Sequence, residues 1–194
     1  MKIIFLDIDG VLNCETGYLS GFCTYKDYIV GGEKEFHYQQ FYPPSKILLN
    51  KLIDETGAKI VISSTWRMSG LDRMKKIWKS EEMSGEVIGV TPSFSNLAVG
   101  DLRLGMPRGL EIDYWLKEKG FGNINWSEDY QQEYIDKSGI ENYIIIDDDS
   151  DMLYKQRKHF VHVLPSPRSK VGFNKLNYNK AKRILKGSVI DVNY

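Results

Sequence analysis

The 194-residue sequence predicts an α/β fold built on a parallel, doubly wound sheet. Three observations point there: short apolar runs recur along the chain, stretches of helical spacing separate them, and acidic or hydroxyl residues stand at their ends. The length suits one domain with a sizeable core and is short for two. With 42% hydrophobic and 27% charged residues, the composition is that of a globular chain and argues against disorder.

Residues 3–6 (IIFL) form a continuous apolar run, as expected of a strand covered on both faces. Ser45 reads as the N-cap of an amphipathic helix carrying Ile47, Leu48, Leu49, Leu52 and Ile53, closed by Gly57. Residues 59–63 (KIVIS) are the next strand, residues 71–84 a helix, and residues 86–90 a shorter strand. Two glycines and two prolines mark 91–107 as a long loop. Residues 108–119 follow as a helix stopped at Gly120. Residues 143–146 (YIII) and 160–164 are further strands, and 178–185 a closing helix. Alternation of strand and helix is what implies the parallel sheet.

Residues 14–42 break the alternation and carry eight aromatic residues between Tyr18 and Tyr42. They are expected to form a small cap or lid insertion after the first strand, hairpin-like, over the carboxyl end of the sheet. Two uses of the aromatics stay open: stacking of bases, or a small core of the insertion's own.

The N-terminus lacks the apolar region of a signal peptide, and no apolar run reaches the roughly 20 residues that span a bilayer. A cytoplasmic protein without a membrane partner is expected. Cys14 and Cys23 are then free thiols, a disulfide between them being the alternative. The zero net charge is uneven: residues 155–194 hold ten Lys/Arg and one acid (+9), the preceding 154 hold 16 basic and 25 acidic residues (−9). The basic segment either follows a polyanion or is a solvated helical face.

The chemistry is concentrated in four places. In Asp7-Ile8-Asp9-Gly10 two acids alternate directly after a strand, where open α/β sheets bind ligands. Asp7 can act as a covalent nucleophile toward a phosphoryl group, and Asp9 can protonate the leaving oxygen and then activate water. Asp147-Asp148-Asp149-Ser150-Asp151 puts four acids at the end of another strand, a density that suits Mg²⁺. In Ser63-Ser64-Thr65-Trp66-Arg67, hydroxyls and N–H groups at a strand-to-helix junction can cradle phosphate. Ser63 is the first choice for the contact and Ser64 the second. Arg67 either clamps a phosphate or forms a structural ion pair. Gly10, which allows a sharp turn, joins Ser64 and Arg67 as the expected substrate-binding residues. Arg108, with Arg103 as fallback, can neutralise the transferring group.

The ordered set Asp7-x-Asp9-Gly10-Val11, Ser63, Arg108 and Asp147-Asp148 resembles the haloacid dehalogenase (HAD) superfamily, across residues 3 to about 151. The resemblance implies a Rossmann-like core with Asp7 as nucleophile and Asp9 as acid/base. It also implies Mg²⁺ held by the Asp7 carboxylate, the Asp9 main-chain carbonyl and Asp147, with Asp148 or Asp151 as auxiliary acid. Ser63 would hold the phosphate, and Arg108 would stand where lysine is usual. Residues 63–67, Arg108-Gly109-Leu110-Glu111-Ile112 with Trp115-Leu116, and Ile146-Asp147-Asp148 are similar to the HAD domains of RNA-repair proteins and to polynucleotide 3′-phosphatase domains. Unlike those assemblies, the sequence contains no P-loop GxxxxGK(S/T). The expected substrate is a nucleotide or nucleic-acid phosphate end. The alternatives are a small phosphorylated metabolite, or no reaction at all in a HAD-like binding module, which the full set of acids disfavours. The sequence leaves the oligomeric state open.

Overall fold

The long apolar runs of the sequence become the strands of one sheet. In the computed structural model, which describes residues 1–94, 98–99, 102–103, 106–121, 138–164 and 171–187, these strands are β1 (Lys2–Leu6), β4 (Lys59–Ile62), β5 (Val87–Val90), β8 (Asn142–Asp147) and β9 (Phe160–His162). They pair in the order β5-β4-β1-β8-β9, every pair parallel. The chain builds outward from β1 to β5 on one side and then returns to the other side through β8. The strand order therefore reverses between β1 and β8, the position at which doubly wound sheets open a crevice beyond their carboxyl ends.

Alternate residues of β1 serve opposite faces. Ile4 and Leu6 pack with Leu49 and Leu52 of α2 (Pro43–Thr56), Met74 and Trp78 of α3 (Leu71–Ser80), and Tyr178 and Ala181 of the last helix, α5 (Lys175–Leu185). Ile3 and Phe5 meet Ile112, Trp115 and Leu116 of α4 (Arg108–Glu118), with Phe5 and Trp115 edge to face at 5.3 Å. Each fully buried aliphatic or aromatic side chain of this kind contributes about 1.5–3 kcal/mol. Burial on both faces is why the strands read as unbroken apolar runs.

Helix boundaries depart from the expectation in three places. α2 begins at Pro43, with Tyr42 as N-cap, and not at Ser45. Proline suits a first turn because it has no N–H to leave unpaired, and Ser45 is buried inside the helix with its hydroxyl donating to the Val171 carbonyl at 3.4 Å. α3 ends at Ser80, and the chain turns through Glu82 in a left-handed conformation before Ser84 docks its N–H on Asn50. α5 starts at Lys175, three residues before Tyr178, because the Asn174 side chain caps it by accepting from Leu176 N and Asn177 N. The region expected as a continuous loop contains a short antiparallel pair, β6 (Ala98–Val99) with β7 (Leu102–Arg103).

Between β1 and α2 lie a short helix, α1 (Glu15–Leu19), and an antiparallel hairpin, β2 (Tyr25–Val30) with β3 (Glu33–Gln39). The aromatic residues there divide into two groups. Tyr38 and Phe41 are buried in the core, and Tyr28 and Phe36 stack at 4.8 Å against its edge. Arg73 lies over Phe36 at 4.3 Å, and the Tyr38 hydroxyl bonds Ser80 and Glu81, so the hairpin rests on α3. Tyr18, Phe22 and Tyr25 stay exposed. Cys14 and Cys23 are buried thiols.

Candidate active site

Parallel register sets out the site. Leu6 is level with Ile62 and with Ile146, and Ile62 with Val90. The residues one step further, Thr91, Ser63, Asp7 and Asp147, therefore form a row across four carboxyl ends. Backbone bonds hold three of them: Thr91 N to Ile62 O (3.0 Å), Ser63 N to Leu6 O (2.8 Å) and Asp7 N to Ile146 O (2.9 Å). Of these four residues, all are buried, the most exposed being Asp7 at 6%.

Past Asp7 the chain turns sharply, with the N–H groups of Val11, Leu12 and Asn13 all directed to the Ile8 carbonyl. Gly10 sits there at φ +74°, and a Cβ on it would lie 2.0 Å from Asp148 Oδ2. Only glycine lets the turn approach the second acidic loop so closely. Oxygens of Asp7, Asp147 and Asp148 consequently lie within 4.8 Å of one another.

Three carboxylates so close repel one another in a poorly solvated site. Burial pushes the Asp7 carboxyl well above its usual range, and Arg108 and a hydrogen bond from Ser64 pull it back only in part. Burial, and then the charge of Asp7, raise Asp147; burial and Asp149 raise Asp148. Asp147 Oδ2 is buried without a hydrogen-bond partner among the described residues. An all-oxygen set with an orphaned carboxylate oxygen fits a hard divalent cation such as Mg²⁺. Asp7, Asp147 and Asp148 are the side chains that would hold it.

Arg108 opens α4, where a cation opposes the helix dipole. The carboxylate of Asp151 offsets that by accepting from Arg108 N at 2.7 Å. Gly109 lets the helix start press against the loop after β8, since a Cβ there would be 2.5 Å from Leu153 N. Buried Gln156 fastens the contact through the Gly109 carbonyl (2.9 Å) and Leu153 N (2.9 Å). Arg108 is thereby brought beside Asp7 and Asp147, and its Nη1 is buried without a partner among the described residues.

The chain also carries a family identity. The sequence model of the family described as "HAD domain in Swiss Army Knife RNA repair proteins" matches residues 3–176, from β1 into α5. The chain belongs to that family. None of the curated proteins matches it significantly. Membership supports a phosphohydrolase of HAD type, and the five-stranded parallel sheet is the Rossmann-like core that goes with it.

In this HAD domain the other sequence-expected residues fall as follows. Asp9 is apart from the three-carboxylate cluster; its side chain accepts from Trp66 Nε1 at 3.1 and 3.2 Å. Ser63 Oγ is buried without a partner among the described residues, whereas Ser64 is hydrogen-bonded to Asp7. Arg67 is in an ion pair: Nη2 meets Glu111 at 2.6 Å and Nη1 donates to Ser64 O at 2.8 Å, both fully inside the protein. Asp151 caps α4, which leaves Asp148 as the acid beside Asp7 and Asp147. The Arg103 side chain lies outside the described residues, as do Arg168 and Lys170 of the basic segment. Elsewhere in that segment Lys155 pairs with Asp113 (2.5 Å), Lys182 with Glu55 (2.8 Å), and Arg157 stacks on Tyr154 (3.9 Å). Among the described residues no helix is long and apolar enough to cross a membrane.

Sequence reasoning missed Thr91, whose hydroxyl is buried in the same row without a partner among the described residues. The available signal was that it is the first polar side chain after residues 87–90 (VIGV). It also missed Trp66 as the partner of Asp9 and Glu111 as the partner of Arg67, contacts that no local pattern announces.

Proposed function

We infer that the protein is a Mg²⁺-dependent phosphomonoesterase for a nucleotide or nucleic-acid phosphate end, working through an aspartyl-phosphate on Asp7. One observation carries the reading: a nucleophile-capable carboxylate converges at the switch point of the sheet with a hydroxyl and a guanidinium donor that have no partner among the described residues.

In the first half-reaction an Asp7 oxygen attacks phosphorus. An acyl-phosphate P–O bond forms, the ester P–O bond breaks, and Asp9 gives its proton to the leaving oxygen. In the second, Asp9 takes a proton from water as that water attacks the same phosphorus. Inorganic phosphate leaves and the Asp7 carboxylate is restored. Ser63 donates to a phosphate oxygen, and Arg108 balances the charge of the transferring group. Bound at Asp7, Asp147 and Asp148, Mg²⁺ supplies charge neutralisation and a fixed orientation for the phosphate. Trp66 donates Nε1 to the exposed Asp9 carboxylate, which steadies the group assigned here to the leaving oxygen. The nucleic-acid preference leans on the family, whose members are HAD domains in RNA-repair proteins.

The test is Mg²⁺-dependent phosphate release from 3′- and 5′-phosphorylated oligonucleotides, mononucleotides and sugar phosphates. Asp7→Asn is expected to lower turnover by about 10⁴–10⁶-fold while the protein stays folded. Release that survives in Asp7→Asn removes Asp7 as nucleophile, and release only from sugar phosphates removes the nucleotide reading.

A further inference from the structure

A cavity of about 360 Å³ opens beside the catalytic crevice, between the β2–β3 hairpin and the segment from Thr65 to Ile77. The Asp9 carboxylate lies on its wall, with Trp66, Tyr25, His37, Gln39 and Arg73 around it. In the reaction above, Asp9 protonates the oxygen that departs. Whatever is attached to that oxygen is therefore held on this side.

The lining is specific in its chemistry. Trp66 and Tyr25 present aromatic surface, and Tyr25 is 71% exposed, so the hairpin does not need it for packing. Tyr28, Phe36 and Tyr38 carry that packing instead. His37 braces Tyr25 edge to face at 5.4 Å. Arg73 is fixed in place by donating Nη2 to the His37 carbonyl at 3.0 Å and by lying over Phe36, which leaves further guanidinium donors. Gln39 is committed to the Cys23 carbonyl and Tyr18. An exposed tyrosine ring and a part-buried tryptophan beside a preset guanidinium suit a flat heterocycle with hydrogen-bonding edges. A bare sugar would leave the rings unused, and an acyl chain would strand the polar wall. The volume is at the lower end of the roughly 300–1,000 Å³ of small-ligand sites, which is room for one nucleoside and not for a length of strand.

We propose that this cavity is the subsite for the nucleoside that bears the scissile phosphate, with Tyr25 and Trp66 as its stacking wall and Arg73 as donor to the base edge. The proposal rests on the phosphatase reading above. Trp66 also touches Asp9, so Tyr25 is the cleaner probe. The measurement is the ratio of kcat/KM for nucleoside monophosphates to that for ribose phosphates without the base. The ratio is expected to be roughly tenfold to a hundredfold in the wild type, the effect of one base stack. It should collapse toward one in Tyr25→Ala and recover in Tyr25→Phe. Calorimetric titration of the same compounds into the same proteins reads the subsite independently of turnover. Turnover with no base preference, or a preference unchanged in Tyr25→Ala, overturns the subsite and leaves the phosphatase standing. Base-dependent binding lost in Tyr25→Ala, with no ester hydrolysed, supports the subsite and overturns the phosphatase.

Discussion

In the crevice at the ends of β1, β4 and β8, polar groups are buried without partners; in the cavity beneath the hairpin, they are already bonded. Ser63 Oγ, Asp147 Oδ2 and Arg108 Nη1 have no partner among the described residues. Tyr38, Arg73 and Gln39 each have one or more. An unpaired buried polar group costs about 1–3 kcal/mol, so the crevice is held in an unfavourable state by the sheet beneath it. The hairpin is held by its own contacts. The crevice is thus complete only with substrate and ion, whereas the hairpin side of the cavity is held by its own bonds, and only Asp9 and Trp66 on the opposite wall tie it to the chemistry.

The sharpest way to break this contrast is to remove an orphaned group. Ser63→Ala deletes a buried hydroxyl that has no hydrogen-bond partner among the described residues, so thermal stability should hold or rise slightly. Phosphate release should nonetheless fall on the order of 10²–10³-fold, as when a preset donor is removed from a developing charge. A loss of stability would mean that Ser63 has an internal role, and unchanged turnover would take it out of the phosphate site.

A second prediction concerns the turn between the two regions. Gly10→Ala puts a Cβ where Asp148 Oδ2 now lies, 2.0 Å away, so the acidic loop must move. Mg²⁺ affinity is expected to fall about 10- to 100-fold, the usual scale for disturbing how ligands are oriented. Isothermal titration of Mg²⁺ into wild-type and Gly10→Ala protein checks it. Equal affinities would detach Asp148 from the ion.

The legible part of the protein follows the same division. Residues that end an apolar run betray their position, because a strand covered on both faces must stop being apolar where it leaves the sheet. Asp7, Ser63 and Asp147 could be found that way. Thr91 follows the same rule but was hidden behind a four-residue strand containing Gly89. Contacts made across the fold left no such trace. Arg67 and Glu111 are 44 residues apart, and the choice between a phosphate clamp and an ion pair depends on where α4 lands. Asp148 and Asp151 look interchangeable in sequence, yet one faces Asp7 and the other caps α4. The hairpin's aromatic residues could be recognised as a group, but their split between core and surface is set by docking on α3.

A last expected effect, read on stability and not on turnover, is the most direct reading of the crevice's strain. In the folded, metal-free protein, burial and, for Asp147, the neighbouring charge of Asp7 make each of the two carboxyls keep its proton well above the ordinary aspartate range. In the unfolded chain both release it near the ordinary aspartate value of about 4. Between those limits the folded state binds more protons, so its stability declines as pH rises through the window and levels off above it. Each pKa unit corresponds to about 1.4 kcal/mol, or tenfold in the folding equilibrium. Thermal unfolding in EDTA across pH 4–8 should show that decline once compared with Asp147→Asn, which removes one of the two buried charges and should flatten the slope. Saturating Mg²⁺ should flatten it too, because the cation offsets the charge that burial penalises. A slope that is the same in wild type, in Asp147→Asn and in Mg²⁺ would mean that the carboxylates are solvated, and the contrast between the crevice and the cavity would lose its physical basis.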